Sequence, residues 1–102
     1  MTVLCRIEDL AEDCAREFEV AEKRLLVWRR GAEVRVVVNR CPHFNVPMNV
    51  EFGTVPVVGG LLTCVHHYSH FRFEDGACVE GQCVGASLDA VVFRVENGKV
   101  SV

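Results

Sequence analysis

The chain has 102 residues, of which half are hydrophobic and a quarter are charged, and its net charge is −3. This composition is typical of one globular domain with a modest core, and the negative charge argues against nucleic-acid binding, which calls for a basic patch. No apolar run approaches the roughly 20 residues of a membrane span, and residues 1–6 lack the regions of a signal peptide. We therefore expect a cytoplasmic monomer that contacts no membrane.

Alternating and β-branched runs with frequent turn signals predict an all-β domain over residues 1–102. One short helical turn is expected over 7–14. The last two strands flank Asn97-Gly98, a pair that favours a type I′ turn because both residues tolerate positive φ. The predicted strands are residues 2–6, 15–20, 24–29, 33–38, 61–63, 71–73, 77–79, 91–95 and 100–102.

The most informative stretch is residues 41–71, which contains all four histidines of the chain and a single acidic residue. Cys41 and His43 form a C-x-H motif, and Cys64 and His67 form a C-x-x-H motif. Taken as ligands, they supply two thiolates and two imidazoles, one of each from either motif. Thiolates and imidazoles suit zinc or an iron–sulfur cluster.

The spacing of these residues helps to distinguish the two kinds of metal site. Structural zinc sites usually present C-x2–4-C and H-x3–5-H pairs, whereas here each motif gives one Cys and one His. This arrangement suits a two-iron cluster whose irons are unlike, one held by two Cys and the other by two His. A structural zinc module that serves as an interaction domain remains an alternative.

These motifs resemble those of the Rieske [2Fe–2S] proteins. The family often has C-P-H-x-G-x-P-L around its first ligand pair, and residues 41–48 are CPHFNVPM. Asn45 replaces the Gly of that pattern, and Asn also visits left-handed conformations. Phe71 and Gly76 match an aromatic residue and a Gly that follow the second pair, and residues 95–100 are similar to the family's final hairpin.

The resemblance implies a Rieske-type fold, an antiparallel β-sandwich or barrel with a small cluster-binding subdomain formed by two loops at about 41–71. It implies that Cys41 and Cys64 bind one iron of a [2Fe–2S] cluster and that His43 and His67 bind the other. The added electron is then expected on the His-bound iron, near the exposed tip of the subdomain.

The remaining histidines and cysteines are expected to have structural roles. His66 is a competing candidate ligand, but the C-x-x-H register favours His67, and we expect His66 at the surface. His70 is expected to be a surface or hydrogen-bonding residue. The other cysteines are expected to be small buried hydrophobic residues, because free Cys is among the most buried residue types. They are Cys5, Cys14, Cys78 and Cys83.

The resemblance also indicates a branch of the family. In high-potential respiratory members a disulfide links the two cluster loops, and its cysteines would stand at Val46 and His66 here, so that disulfide cannot form. Those members also place a Ser and a Tyr whose hydroxyls donate hydrogen bonds around the cluster. Ser69 is present in this chain, but Phe71 stands at the Tyr position and has no hydroxyl.

The low-potential relatives are ferredoxins that carry electrons from a flavin-dependent, NAD(P)H-oxidising reductase to a terminal oxygenase. Catalytic oxygenase subunits continue into a large mononuclear-iron domain, whereas this chain ends directly after the last predicted hairpin. We therefore expect a free-standing electron carrier of a multicomponent oxygenase system and no enzymatic activity of its own. A small Rieske subunit of a nitrite reductase-like or other redox complex is the alternative.

An apolar docking surface for the redox partners is expected around the histidine ligands, with two arginines nearby to bias orientation. A weak, transient contact is expected, because redox encounters bury little surface. The surface would consist of Phe44, Val46, Pro47, Met48 and Tyr68, and the arginines are Arg40 and Arg72.

The missing hydroxyl at Phe71 predicts the reduction potential. Fewer hydrogen-bond donors stabilise the reduced, more negative cluster less and so lower its potential. We expect a potential in the lower part of the Rieske range, about −150 to 0 mV. Voltammetry checks this value, and a potential above about +200 mV would contradict the argument.

Overall fold

The computed structural model describes residues 2–66 and 68–102. Within them the chain forms antiparallel strands and one 3-10 turn, Ile7–Asp9, so the all-β prediction is confirmed. No helix in this part of the chain has the length and apolar character needed to cross a membrane. The strands are β1 (Val3–Arg6), β2 (Cys14–Val20), β3 (Lys23–Arg30), β4 (Glu33–Val38), β5 (Thr54–Val55), β6 (Val57–Val58), β7 (Leu61–Thr63), β8 (His70–Phe71), β9 (Cys78–Glu80), β10 (Arg94–Glu96) and β11 (Lys99–Ser101).

The described strands form three antiparallel sheets. The central sheet has the order β4-β3-β2-β5, the second β6-β7-β8-β9, and the third β1-β11-β10. The first ligand motif follows β4 in the chain, and the second falls between β7 and β8. The two motifs therefore leave the ends of strands in two different sheets.

Strand β3 is buried on both of its faces, which explains its continuous apolar run. Leu26 and Trp28 belong to one core cluster, and Leu25 and Val27 belong to a second. Successive side chains of a strand point to opposite faces, so β3 divides the interior into two layers. The first layer extends to the ligand motifs, because it also contains the predicted ligand cysteines.

The predicted strands agree with the structure to within one residue at each end, with two exceptions. The strand expected at 71–73 ends at Phe71, because the chain turns at once through residues 72–77. The strand expected at 91–95 begins only at Arg94. The run before it crosses the edge of β4, where the Val91 N–H donates to the Val36 carbonyl at 2.9 Å. In the final hairpin Asn97 and Gly98 have φ of 52° and 74°, which agrees with the predicted turn.

A buried carboxylate joins the β2–β3 hairpin to residues 39–49, which carry the first ligand motif and are called the first ligand segment. The side chain of Glu17 on β2 has no exposed surface and forms an ion pair with Arg24 on β3. Its oxygens also accept hydrogen bonds from the amides of Asn39, at 2.7 Å, and Asn49, at 2.8 Å. Asn39 Oδ1 in turn accepts the Met48 N–H at 2.8 Å. One carboxylate thus ties both ends of the first ligand segment to the central sheet.

The environment of Glu17 favours its ionised form. Burial opposes ionisation, but four hydrogen-bond donors more than offset it and lower the pKa of Glu17 from 4.5 to about 2. Because this folded-state pKa lies below the unfolded one, ionised Glu17 stabilises the fold by about 3 kcal/mol above about pH 5. The contribution is lost as the pH falls from about 4.5 through about 2. The donors are Arg24, Asn49, Asn39 and the Gly53 amide.

We expect Glu17→Gln to lower the free energy of unfolding by about 2–3 kcal/mol at pH 7, because it breaks a buried ion pair. Urea unfolding of both proteins between pH 8 and pH 4 would measure the difference, which should stay constant above about pH 5 and narrow below it. Glu19→Gln, at an exposed position of the same strand, is the control and should change stability by less than about 0.5 kcal/mol. Equal losses in the two variants would contradict the role given to Glu17.

Candidate metal centre

The two predicted ligand cysteines come together in the core. Cys41 lies beyond the end of β4 and Cys64 directly after β7. Both have 0% of their surface exposed, both belong to the same core cluster, and their thiols interact with each other. The fold thus places the two predicted ligand thiols in one buried cluster, away from water.

The loops that start at these cysteines have the same backbone geometry. In each loop the Cys N–H donates to the carbonyl five residues on, and the N–H four residues on donates back to the Cys carbonyl. The loops are also joined directly, since the Val65 N–H donates to the Met48 carbonyl at 3.0 Å. The distances are 2.8 and 2.7 Å for Cys41 with Val46 and Asn45, and 2.9 Å for both bonds of Cys64 with Ser69 and Tyr68.

This loop type requires a positive φ at the residue four positions after its first residue, where Gly is the residue with the least strain. The turn over residues 72–77 has the same hydrogen-bond pattern and places Gly76 there, with a φ of 72°. The ligand loops place Asn45 and Tyr68 there instead, with φ of 59° and 55°. The interpretation of Asn45 as a substitute for Gly therefore agrees with its backbone. Tyr68 is strained, because a bulky side chain disfavours this conformation.

His43 follows Cys41 on the first loop and bridges core and surface. Its ring is half-buried and its Nδ1 atom is buried. The ring packs against Phe44 with centroids 4.0 Å apart. His67, the remaining predicted ligand, lies outside the described residues. Within the described residues, no three His, Cys, Asp or Glu side chains converge closely enough to hold a metal ion.

The other two histidines agree with the sequence predictions. His66 is exposed. His70 is half-buried, and its Nδ1 lies 2.9 Å from the Thr63 Oγ1 across the β7–β8 pair. His70 thus has the expected hydrogen-bonding role.

The electrostatics of the site suit a metal. Burial raises the pKa of the Cys41 thiol to about 12, the His43 backbone amide opposes this, and the thiols of Cys83 and Cys64 add to the rise. A bare thiolate is therefore unfavourable at Cys41 in neutral solution. A coordinated metal ion supplies the compensating positive charge and deprotonates a thiol outright. The donor set of buried sulfurs and a neighbouring imidazole accordingly fits a thiolate- and imidazole-binding metal group.

A third thiol, which the sequence reasoning assigned only a packing role, lies beside the ligands. The Cys83 Sγ is 3.6 Å from the Cys41 Sγ, and the hydroxyl of Ser69 donates to the Cys83 Sγ at 3.5 Å. The sequence gives no local signal for this contact, because the two cysteines are 42 residues apart. Only the packing of the β9 turn on the ligand loops brings them together.

The cysteines outside the motifs agree only in part with the prediction of burial. Cys78 and Cys83 are buried, as expected, but Cys5 and Cys14 are only half-buried. Cys5 lies in the edge strand β1, and Cys14 is the first residue of β2. All six cysteines are free.

The predicted docking residues are divided between the surface and the core. Phe44 and Tyr68 are 52% and 71% exposed, Val46 is also exposed, and Pro47 is half-buried. Met48 was expected on this surface, and that prediction is wrong, because its side chain is fully buried in the core beneath the loops.

The two predicted arginines both have carboxylate partners. Arg40 pairs with Asp89, next to the first loop. Arg72 pairs with Asp75, with two hydrogen bonds of 2.7 and 2.6 Å inside the 72–77 turn. Arg40 therefore remains the arginine closer in sequence to a ligand motif, while Arg72 stabilises its own turn.

Comparison with known families decides what this arrangement is. The family model described as "Rieske [2Fe-2S] domain" matches residues 1–94. This chain belongs to the Rieske [2Fe–2S] family. The Rieske domain takes a Rieske-type [2Fe–2S] cluster, so the predicted family, cofactor and electron-transfer character are confirmed.

Solved structures with the same fold come from carbazole 1,9a-dioxygenase systems. The ferredoxin from Nocardioides aromaticivorans IC177 is 20% identical, with a TM-score of 0.76 over 98% of this chain and 95% of its own. The terminal oxygenase from Novosphingobium sp. KA1 is 21% identical, with a TM-score of 0.77 over 98% of this Rieske chain but only 28% of its own.

A further match comes from a complex of reduced oxygenase and oxidised ferredoxin of carbazole 1,9a-dioxygenase. It is 20% identical, with a TM-score of 0.77 over 97% of both chains. At this identity the likeness concerns the fold. No curated protein sequence matches the chain significantly.

Proposed function

We propose that this Rieske protein is a low-potential ferredoxin that carries single electrons from a flavin-dependent NAD(P)H reductase to a terminal oxygenase in the cytoplasm. We further propose that residues 1–102 act as one monomeric Rieske domain, with its cluster-binding subdomain at about 41–71. The observation that carries the proposal is the form of the ligand loops, which are buried at the sulfur end and apolar at the exposed end.

We assign one iron to Cys41 and Cys64 and the other to His43 and His67. The burial of both thiols in one core cluster, their mutual electrostatic interaction and the matched hydrogen bonds of the two loops support the cysteines. The buried Nδ1 of the half-buried His43 ring supports a ligand that reaches from the core toward the surface. His67 follows from the C-x-x-H register and the family pattern.

When bound, a Rieske cluster accepts and releases one electron at a potential raised by its two imidazole ligands. The residues of this chain supply the surroundings that such a transfer needs. Cys41 and Cys64, fully buried in a core layer that also contains Trp28 and Phe71, keep water from the sulfur ligands. His43 and its packed neighbour Phe44 connect that interior to the surface.

The strain at Tyr68 supports a docking role for the exposed end. A non-Gly residue in the left-handed region costs about 1–2 kcal/mol, and a side chain that is 71% exposed recovers little of this through packing within the chain. Aromatic residues are enriched at the energetic centres of protein interfaces. A contact with another protein is therefore a physical reason to keep Tyr at a position that favours Gly.

The solved complexes of structural neighbours support a partner class for this proposed contact. Structures of carbazole 1,9a-dioxygenase hold a ferredoxin of the same fold together with its oxygenase. We take a terminal oxygenase as the electron acceptor by this analogy, and a flavin-dependent reductase as the donor. Phe44, Val46 and Tyr68 form the proposed contact surface, with Arg40 beside it.

We expect Tyr68→Gly to separate folding from function. It should keep or raise the free energy of unfolding, by up to about 1 kcal/mol, because Gly relieves the strain at positive φ and loses part of the gain to chain entropy. It should slow electron transfer to the oxygenase about tenfold, because an aromatic contact is lost. Stopped-flow mixing of the reduced protein with a candidate oxygenase, after reduction by a candidate reductase, measures the rate.

Asn97→Gly is the matched control, since Asn97 has a φ of 52° in a hairpin outside the ligand loops. It should leave the transfer rate unchanged. If neither reductases nor oxygenases of this class exchange electrons with the wild-type protein, the carrier proposal fails and the subunit of another redox complex becomes the better reading.

The colour and EPR spectrum of the wild type distinguish an iron–sulfur cluster from a zinc site. The wild type should be reddish-brown with a rhombic EPR signal when reduced, whereas a zinc site would be colourless and EPR-silent.

We expect His67→Cys to disturb the cluster and to make its potential more negative, because a third thiolate adds negative charge. His66→Cys is the control at the adjacent exposed position and should leave spectrum and potential unchanged. If His66→Cys changed the spectrum and the potential and His67→Cys did not, His66 would be the ligand.

A further inference from the structure

Two buried polar groups lie in a row with the first proposed ligand, Cys41. Cys83 is 4% exposed, and Ser69 and Cys41 are 0% exposed. The Ser69 Oγ donates to the Cys83 Sγ at 3.5 Å, and the Cys83 Sγ lies 3.6 Å from the Cys41 Sγ. Because none of the three is open to solvent, each depends on its neighbours for hydrogen bonds.

We propose that Cys83 is a positioning residue for the cluster, whose S–H donates a hydrogen bond to the sulfur of Cys41, with Ser69 holding and polarising Cys83 from the other side. The inference rests on the proposed role of Cys41 as an iron ligand. A coordinated Cys41 is a thiolate without a proton, so Cys83 must be the donor in their contact. A donor that itself accepts a hydrogen bond is strengthened by it.

The contact raises the reduction potential of the cluster. Hydrogen bonds to cluster sulfurs favour the reduced, more negative state. Phe71 is fully buried and provides no hydroxyl. The thiol of Cys83, from another turn, therefore replaces in part the hydrogen-bond donor that is absent at position 71. The hydroxyl of Ser69 points to Cys83 and serves the cluster through it.

The turn that carries Cys83 is built to hold this position. The Cys78 N–H donates to the Ala86 carbonyl at 2.9 Å, and the Ala86 N–H donates to the Cys83 carbonyl at 2.8 Å. Gly81 lets the turn approach the second loop, because a Cβ at that residue would lie 2.8 Å from both the Cα and the Oγ of Ser69. The close approach fixes Ser69 against the turn.

The test is the reduction potential of the cluster-loaded protein, measured by EPR-monitored redox titration. Cys83→Ala removes the donor and should shift the potential to a more negative value. Cys83→Ser keeps a donor of similar size and should restore most of that shift. Cys14→Ala is the control, because Cys14 is a free, half-buried cysteine at the start of β2, outside the ligand loops and outside the core cluster that holds Cys41 and Cys83. Its potential should equal that of the wild type.

A second readout separates the hydrogen bond from simple packing. The iron–sulfur(Cys) stretching bands in the resonance Raman spectrum should shift when wild-type protein is moved from H2O to D2O, and part of that shift should vanish in Cys83→Ala. Cys83→Val fills the site without a donor and replaces the Ala variant if the latter binds its cluster poorly. It should show the same negative potential shift.

Several outcomes would overturn the proposal. Potentials and isotope shifts that are equal in wild type, Cys83→Ala and Cys83→Val would remove the donor role. Loss of the cluster in all Cys83 variants, with retention in Cys41→Ser, would make Cys83 the ligand instead. Both results leave the carrier function standing, whereas a wild-type protein that takes up no iron or sulfide would defeat the proposed function itself.

Discussion

The burial of two thiols at the ends of β4 and β7 is the constraint on which the rest of this structure depends. A thiolate without a partner is costly in a dry interior, and burial accordingly raises the pKa of Cys41 to about 12. The same two residues are the proposed ligands of one iron, whose positive charge would compensate the buried thiolates. The proposed metal site is therefore part of the hydrophobic core, because Cys41 and Cys64 belong to the same cluster of buried residues as Trp28.

Two sheets present these thiols, and separate devices hold the loops in place. The first loop is anchored by the Glu17 carboxylate through Asn39 and Asn49. The second loop lies between the short strands β7 and β8, and the Val65 N–H donates a backbone hydrogen bond to the Met48 carbonyl of the first ligand segment. Burying a charged group is favourable only when its hydrogen bonds are satisfied. Those of Glu17 come from Arg24 and the Gly53 amide as well as from Asn39 and Asn49, at the two ends of the first ligand segment.

The exposed end of the loops obeys a different rule. There the chain accepts backbone strain at Tyr68 and leaves Phe44 and Val46 in water. Neither feature helps the isolated domain, and both suit a brief contact with another protein. We therefore propose different roles for the two ends of the loops. The buried end determines the properties of the cluster, and Cys83 and Ser69 adjust its electrostatics. The exposed apolar end binds the redox partner.

The sequence by itself determined the all-β class, most strand bounds, the family and the two ligand motifs, because alternation, turn residues and ligand spacing are local features of the chain. Positive φ at Asn45 was predictable for the same reason. Only the tertiary structure decided that Met48 faces the core instead of a partner, that Glu17 anchors the first loop, and that Cys83 touches Cys41. These facts depend on contacts between residues that are far apart along the chain, and no short pattern encodes which distant side chain will fill a given gap. The strand expected at 91–95 begins late for the same reason, because its first residues bind to the edge of β4 through the Val91 N–H and the Val36 carbonyl, and pairing with β11 starts only at Arg94.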